Sequence, residues 1–333
     1  MTSGNTVPVA LLSLTALTLT IAAQPAVAST APQPAPRSVP ATGPEHGLAR
    51  QTRALPERIA FEPAGTEHTV ARPLTRAGRA MAGPKGPNPA SWRCAGTGAS
   101  TNRVQLMYIH AEGAKDRFEE VKDQLRYYAG EANEFYLAGA RQQGGYREIR
   151  YVTDHGKPGC QVDIARVTVT ADQIKSFNGT VDALRAKGHN RKDRKYVGFV
   201  DSQGVYCGLG GMYVDARPGP ENSNNSGDTF ALVENNCWMG MAHELMHSLG
   251  AVNIEAPHAT KGSHCTDGHE LMCYDDGTPQ KNVCPESNKW IPDCNHDDYY
   301  SVAPKKGSWL ASHWNTADNI FLYRKAVEAV AAG

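Results

Sequence analysis

His243 and His247 stand four residues apart and enclose a glutamate in the segment 237–250, CWMGMAHELMHSLG. On an α-helix, residues at that spacing project from one face, so their imidazoles can share one tetrahedral Zn²⁺. Glu244, the next residue round the helix, can reach a water activated by the metal without ligating the metal, which is where a general base must stand. With 12 histidines in 333 residues, an HExxH spacing arises by chance in only about two chains in a hundred. The chemistry available to this set is hydrolysis by an activated water. A zinc site without catalysis is the competing use of the same residues.

Such a helix has to be buried and held. Met239, Ala242, Met246 and Leu249 form an apolar stripe beside the histidines, Asn235 or Asn236 offers an N-cap, and Gly250 offers a left-handed stop. Upstream, residues 103–110 alternate Val104, Leu106 and Tyr108 like a strand, and residues 116–140 place Phe118, Val121, Leu125, Tyr128, Ala132 and Phe135 at helical spacing. Strand-like runs recur at 148–153, 162–168, 196–201 and 230–233, with a shorter helix at 181–187. Strands alternating with helices predict an α/β sandwich up to about residue 250. Beyond it Gly, Pro, Asn and Asp dominate until a closing helix expected over 315–331.

An apolar run over residues 7–23 is followed by Ala26-Val27-Ala28, the small-residue pattern of a cleaved export signal. The run is short and threonine-rich for a membrane span, so residues 1–28 are taken as a signal peptide and the mature protein as secreted. The eight cysteines all lie in the region 92–333, and an even number behind an export signal predicts four disulfides. Proximity favours Cys284 with Cys294 and Cys265 with Cys273. Residues 29–91 hold 11 of the 21 prolines and no cysteine, a composition that cannot bury a core, so they form a linker or pro-segment. The remaining 92–333 are expected to be one domain. Thirty-four basic against 34 acidic residues give no net charge, which argues against a nucleic-acid or anionic-membrane binder. The expectation is a monomer acting on protein or peptide substrates.

The segment resembles the active-site helix of the metzincin clan of zinc endopeptidases, in which HExxHxxG ends the helix and a methionine-containing turn underlies the metal further on. Gly250 matches the glycine, and Glu270-Leu271-Met272-Cys273-Tyr274 is similar to the turn. The resemblance implies that His243 and His247 are ligands, Glu244 the base, Met272 the floor of the site and Tyr274 a transition-state partner. It also implies a mixed sheet with the active-site helix in the N-terminal part of the domain and a loop-rich, disulfide-stapled C-terminal part ending in a helix. One position departs. Where the clan carries its third ligand, three residues after the glycine, this chain has Asn253, and a neutral amide oxygen is a poor zinc ligand. His258, on the same short loop and stiffened by Pro257, is the preferred replacement. Asn253 itself and His264 are the alternatives.

Two weaker signals remain. Residues 293–298, DCNHDD, alternate oxygen donors that can hold Ca²⁺, but lack the glycine and terminal glutamate of an EF-hand, so a solvated acidic loop is favoured. Gly208-Leu209-Gly210-Gly211 is either an extended edge for a substrate strand or a flexible turn. The function expected is a secreted zinc endopeptidase, and the alternative is a secreted zinc-containing binding module without hydrolysis.

Overall fold

The structure, a computed structural model, describes residues 92–95, 97–154, 160–202 and 207–324. The expected export signal and proline-rich arm lie outside these residues. In chain order the strands are β1 (Arg103–Ala111), β2 (Glu148–Ile149), β3 (Thr153–Asp154), β4 (Gln161–Val162), β5 (Ile164–Val169), β6 (Arg194–Val200), β7 (Gly208–Gly210), β8 (Phe230–Glu234) and β9 (Leu322–Tyr323). The α-helices are α1 (Phe118–Gln142), α2 (Phe177–Ala186) and α3 (Met241–Ser248).

Five strands form the central mixed sheet in the order β5-β1-β6-β8-β7, parallel throughout except for β7, which runs antiparallel to β8 along one edge. The alternation read from β1 is what divides the protein into layers. Val104, Leu106 and Tyr108 turn to a core shared with α1, α3 and Met272, whereas Met107 and Ile109 turn to the opposite core, which α2 closes with Val181, Ala183 and Leu184. An α/β sandwich follows, with the long helix and the histidine-bearing helix on the same face of the sheet.

Helix α3 has eight residues, fewer than the roughly 12–15 an isolated helix needs to persist in water. Packing must therefore hold it, and Met241, Ala242, Leu245, Met246 and Leu249 are all buried in the first core. Its start differs from the expectation. A 3₁₀ turn over Asn235–Gly240 precedes the helix, and the Asn235 amide donates to Asp201 Oδ1 at 3.0 Å instead of capping. Its end matches: Gly250 has φ +102°, and a Cβ there would lie 2.3 Å from Trp314 Nε1, so only glycine fits.

Three other element assignments change. Helix α2 begins at Phe177, ahead of the expected 181, because Ser176 caps it by accepting from the Gly179 N–H. The run at 148–153 breaks into β2 and β3, which pair with different partners, β9 and β4. No long helix begins at 315: Asn315 caps a single 3₁₀ turn over Thr316–Asp318, Asn319 is extended with its amide donating to Asn224 O and Leu249 O, and Leu322 and Tyr323 then pair with β2. Tertiary hydrogen bonds override the helical periodicity, and residues beyond 324 lie outside those described.

All eight cysteines are paired, as Cys94–Cys160, Cys207–Cys237, Cys265–Cys273 and Cys284–Cys294, including both pairs expected from proximity. Among the described residues no helix is long and apolar enough to cross a membrane.

At the end of β8, burial raises the Glu234 carboxyl from 4.5 to about 7, although Ser202 Oγ donates to it at 2.7 Å. The folded state holds this proton more tightly than the unfolded one, so stability is lost as pH rises from about 4.5 through about 7. Glu234→Gln is therefore expected to be more stable than the parent by roughly 1–3 kcal/mol at pH 8 and equal to it at pH 4. Denaturant titrations at the two pH values check this, and an equal gain at both would contradict it.

Candidate metal centre

Helix α3 carries His243, Glu244 and His247, with 1%, 3% and 1% of their surface exposed. Their spacing does what the sequence suggested: His243 Nε2 and His247 Nε2 stand 3.1 Å apart. The third imidazole is that of His264, whose Nε2 lies 3.3 Å from His247 Nε2. Each ring is fixed from behind. His243 Nδ1 lies 2.9 Å from Leu271 O, His247 Nδ1 2.7 Å from Ala251 O and His264 Nδ1 3.2 Å from Asp276 Oδ2. These oxygens can only accept, so each Nδ1 bears the proton and each Nε2 presents a lone pair inward.

This arrangement fits a zinc ion. Nitrogens bound at about 2.0–2.1 Å around a tetrahedral centre sit about 3.3 Å from one another, close to the 3.1 and 3.3 Å that separate His247 Nε2 from His243 Nε2 and His264 Nε2. Burial lowers the pKa of all three imidazoles, with mutual repulsion adding to it at His243 and His247, and brings His243 down to about 3. Neutral imidazole is the form a metal needs. On the same helix as His243 and His247, burial raises the Glu244 carboxyl well above the usual carboxylate range, and its Oε2 is buried with no hydrogen-bond partner among the described residues. Carried one position after His243, that oxygen is available as a base for an activated water.

His258, preferred above as the third ligand, is not brought to His243 and His247; the structure brings His264, the alternative, to them instead. The reason lies in the loop. Gly250 reverses the chain, and Val252 N–H donates to Ser263 O at 3.1 Å, so residues 263 and 264 return beside the helix end. Thr260 Oγ1 accepts from His264 N–H at 3.2 Å and donates to Asp276 Oδ2. His258 faces elsewhere, its Nδ1 2.9 Å from Asp298 Oδ1, 3.5 Å from Asp267 and 3.9 Å from Asp297. Burial opposes its protonation, yet Asp298, Asp267 and Asp297 outweigh that and raise its pKa. Asn253 is buried with its Oδ1 accepting from Glu255 N–H at 2.9 Å, a local turn.

The sequence held a signal for His264. The disulfide Cys265–Cys273 joins the residue after His264 to the residue after Met272, so it draws the two segments together. Met272 is fully buried, the preceding Leu271 carbonyl holds His243, and the Tyr274 ring lies 4.3 Å from the His264 ring and 5.7 Å from that of His243. Glu270 braces this turn, accepting from Met272 N–H at 2.9 Å and, through its other oxygen, from Asp293 N–H and Tyr299 OH.

The acidic loop contributes less than its donor pattern suggested. Asp293 is buried and accepts backbone N–H bonds from residues 297–300. Asp297 and Asp298 join Asp267 and His258 in a group whose ligand atoms lie within 4.8 Å of one another. His258 itself supplies a counter-charge there, and a calcium assignment gains no donor beyond these.

The glycine-rich segment is extended. It forms the edge strand β7, and a Cβ at Gly210 would lie 2.6 Å from His247 Cβ, so the strand lies directly against α3.

No protein-family model matches the sequence, and no curated protein matches it. Among solved structures the chain is similar to OgpA from Akkermansia muciniphila, with 17% identity, 66% of this chain and 69% of that one covered, and a TM-score of 0.34. A catalytically inactive OgpA in complex with an O-glycopeptide substrate gives 14% identity, the same coverage and a TM-score of 0.34. Metalloproteinase-II from Bacteroides fragilis gives 12% identity and a TM-score of 0.28, with 59% of this chain and 54% of that one covered, so this chain spans about half its length. Likenesses this distant leave the chemistry to be read from the residues themselves.

Proposed function

We propose that this chain is a secreted zinc-dependent endopeptidase, with His243, His247 and His264 as ligands and Glu244 as the general base. The observation that carries the proposal is the convergence of the three Nε2 atoms, two of them on a helix that also carries a buried carboxylate oxygen with no hydrogen-bond partner among the described residues. When bound, zinc supplies Lewis acidity toward a scissile carbonyl and acidifies the attacking water. Glu244 removes the proton of that water and returns it to the leaving amine. Tyr274, ring to ring with His264, would donate a hydrogen bond to the developing oxyanion. Asp276 orients His264, fixes its tautomer and raises its basicity.

The edge strand serves the substrate. Cys207 O accepts from Glu234 N–H and Gly211 N–H donates to Phe230 O, so the alternate residues Gly208 and Gly210 turn their backbone N–H and C=O away from β8. An extended peptide pairing there would cross the metal site in a regular strand geometry. Residues 1–28 are taken to direct export, 29–91 to form a linker or pro-segment, and 92–333 the catalytic domain. Four disulfides with no free cysteine suit an oxidising, extracellular location. The non-hydrolytic alternative leaned on Asn253, and a third imidazole from His264 removes that support.

Incubation of residues 92–333 with a diverse peptide library, followed by mass spectrometry, tests the proposal. Internal cleavages that disappear with a zinc chelator are expected. Intact peptides from fully zinc-loaded protein would favour the binding module.

A further inference from the structure

We propose that Gly208 is a positioning residue for Glu244, holding the base in line through the absence of a side chain; the proposal deepens the peptidase reading and rests on it. Glu244 Oε2 is buried and accepts no hydrogen bond from any described residue, so packing has a large share in setting the direction of the carboxylate. One wall of that packing is the backbone of Gly208. A Cβ built there would lie 2.6 Å from Glu244 Oε1, 2.8 Å from Cγ and 2.9 Å from Cδ, closer than real Cβ contacts come. The whole outer half of the glutamate therefore rests on the space a methyl group would fill.

The strand cannot yield to make room. Gly208 pairs with Val233 and Leu209 with Leu232 in the sheet, and at Gly210 a Cβ would already meet Glu244 O at 2.4 Å. The Cys207–Cys237 disulfide ties the residue before Gly208 to the 3₁₀ turn that leads into α3. Strand and helix are thus pinned to each other at both ends of the contact. A side chain at 208 has to displace the carboxylate, because nothing else at the contact moves cheaply. Misplacing a base by about 1 Å is enough to cost on the order of 10²-fold in rate.

Two measurements test this, one of them independent of catalysis. In the folding measurement Gly208→Ala is expected to lower Tm by about 3–10 °C through overpacking. Adding Glu244→Ala to it, which removes the atoms it strikes, should restore most of that loss. If Gly208→Ala alone does not fold, the double variant still should. Equal destabilisation with and without Glu244→Ala, or failure of both variants to fold, would overturn the proposal whether or not the protein is a peptidase. In the kinetic measurement Gly208→Ala should keep close to one zinc per chain and a KM near the parent's while kcat falls on the order of 10²-fold. The shorter base of Glu244→Asp should cost less in the Gly208→Ala background than in the parent. A parent-like kcat, or activity lost in step with zinc, would overturn the assignment.

Discussion

Glu244→Gln is expected to retain close to one zinc per chain while losing about 10²–10⁴-fold in kcat, the range a positioned general base contributes. The glutamine keeps the volume and hydrogen-bonding length of the side chain, which matters because Glu244 is 3% exposed and packed against Gly208. It also leaves untouched the three imidazoles and the Leu271, Ala251 and Asp276 oxygens behind them. What it removes is the ability to accept a proton. Zinc content by atomic emission, run beside turnover on a cleaved peptide, reads both quantities. A variant that cleaves like the parent would contradict the assigned base, and one that loses its zinc would place Glu244 among the ligands.

The second large effect concerns the third ligand. His264→Ala is expected to abolish turnover and to weaken zinc binding by more than the 10–100-fold typical of a change behind a ligand, because two imidazoles remain where three converged. Asp276→Asn should fall inside that 10–100-fold range, since it keeps an acceptor for His264 Nδ1 but removes the charge. His258→Ala should leave zinc content unchanged, its ring being engaged with Asp298, and Asn253→Ala should likewise leave it unchanged. Competition with a chromogenic chelator ranks the four variants. Loss of metal in His258→Ala with retention in His264→Ala would contradict the triad.

The difference between His258 and His264 shows what a sequence conceals. His243, Glu244 and His247 are related by helical spacing alone, a local property, and so could be read directly. The third imidazole comes from a loop whose path is set by long-range bonds, Val252 to Ser263 and Thr260 to Asp276. Proximity along the chain pointed to His258, whereas three aspartates brought in from 267, 297 and 298 capture that ring. The disulfide across 265 and 273 was correctly expected, and it brackets the segments carrying His264 and Tyr274. Sheet strands with clear alternation, such as β1, were legible for the same local reason as the histidine pair. The closing helix was not, because Asn315 and Asn319 redirect the chain through bonds to distant backbone. Nor did the glycines of β7 announce their use, which depends on how closely α3 approaches them.

The most direct test of a zinc peptidase built on His243, His247 and His264 is to strip the purified protein with a chelator and return zinc in measured steps while following cleavage of one internal peptide bond. Turnover should be absent without metal, rise in proportion to zinc and level off at one equivalent per chain, with Glu244→Gln taking up the same equivalent in silence. Cleavage that persists in the stripped protein, or a fully loaded protein that cleaves no peptide, would contradict the account.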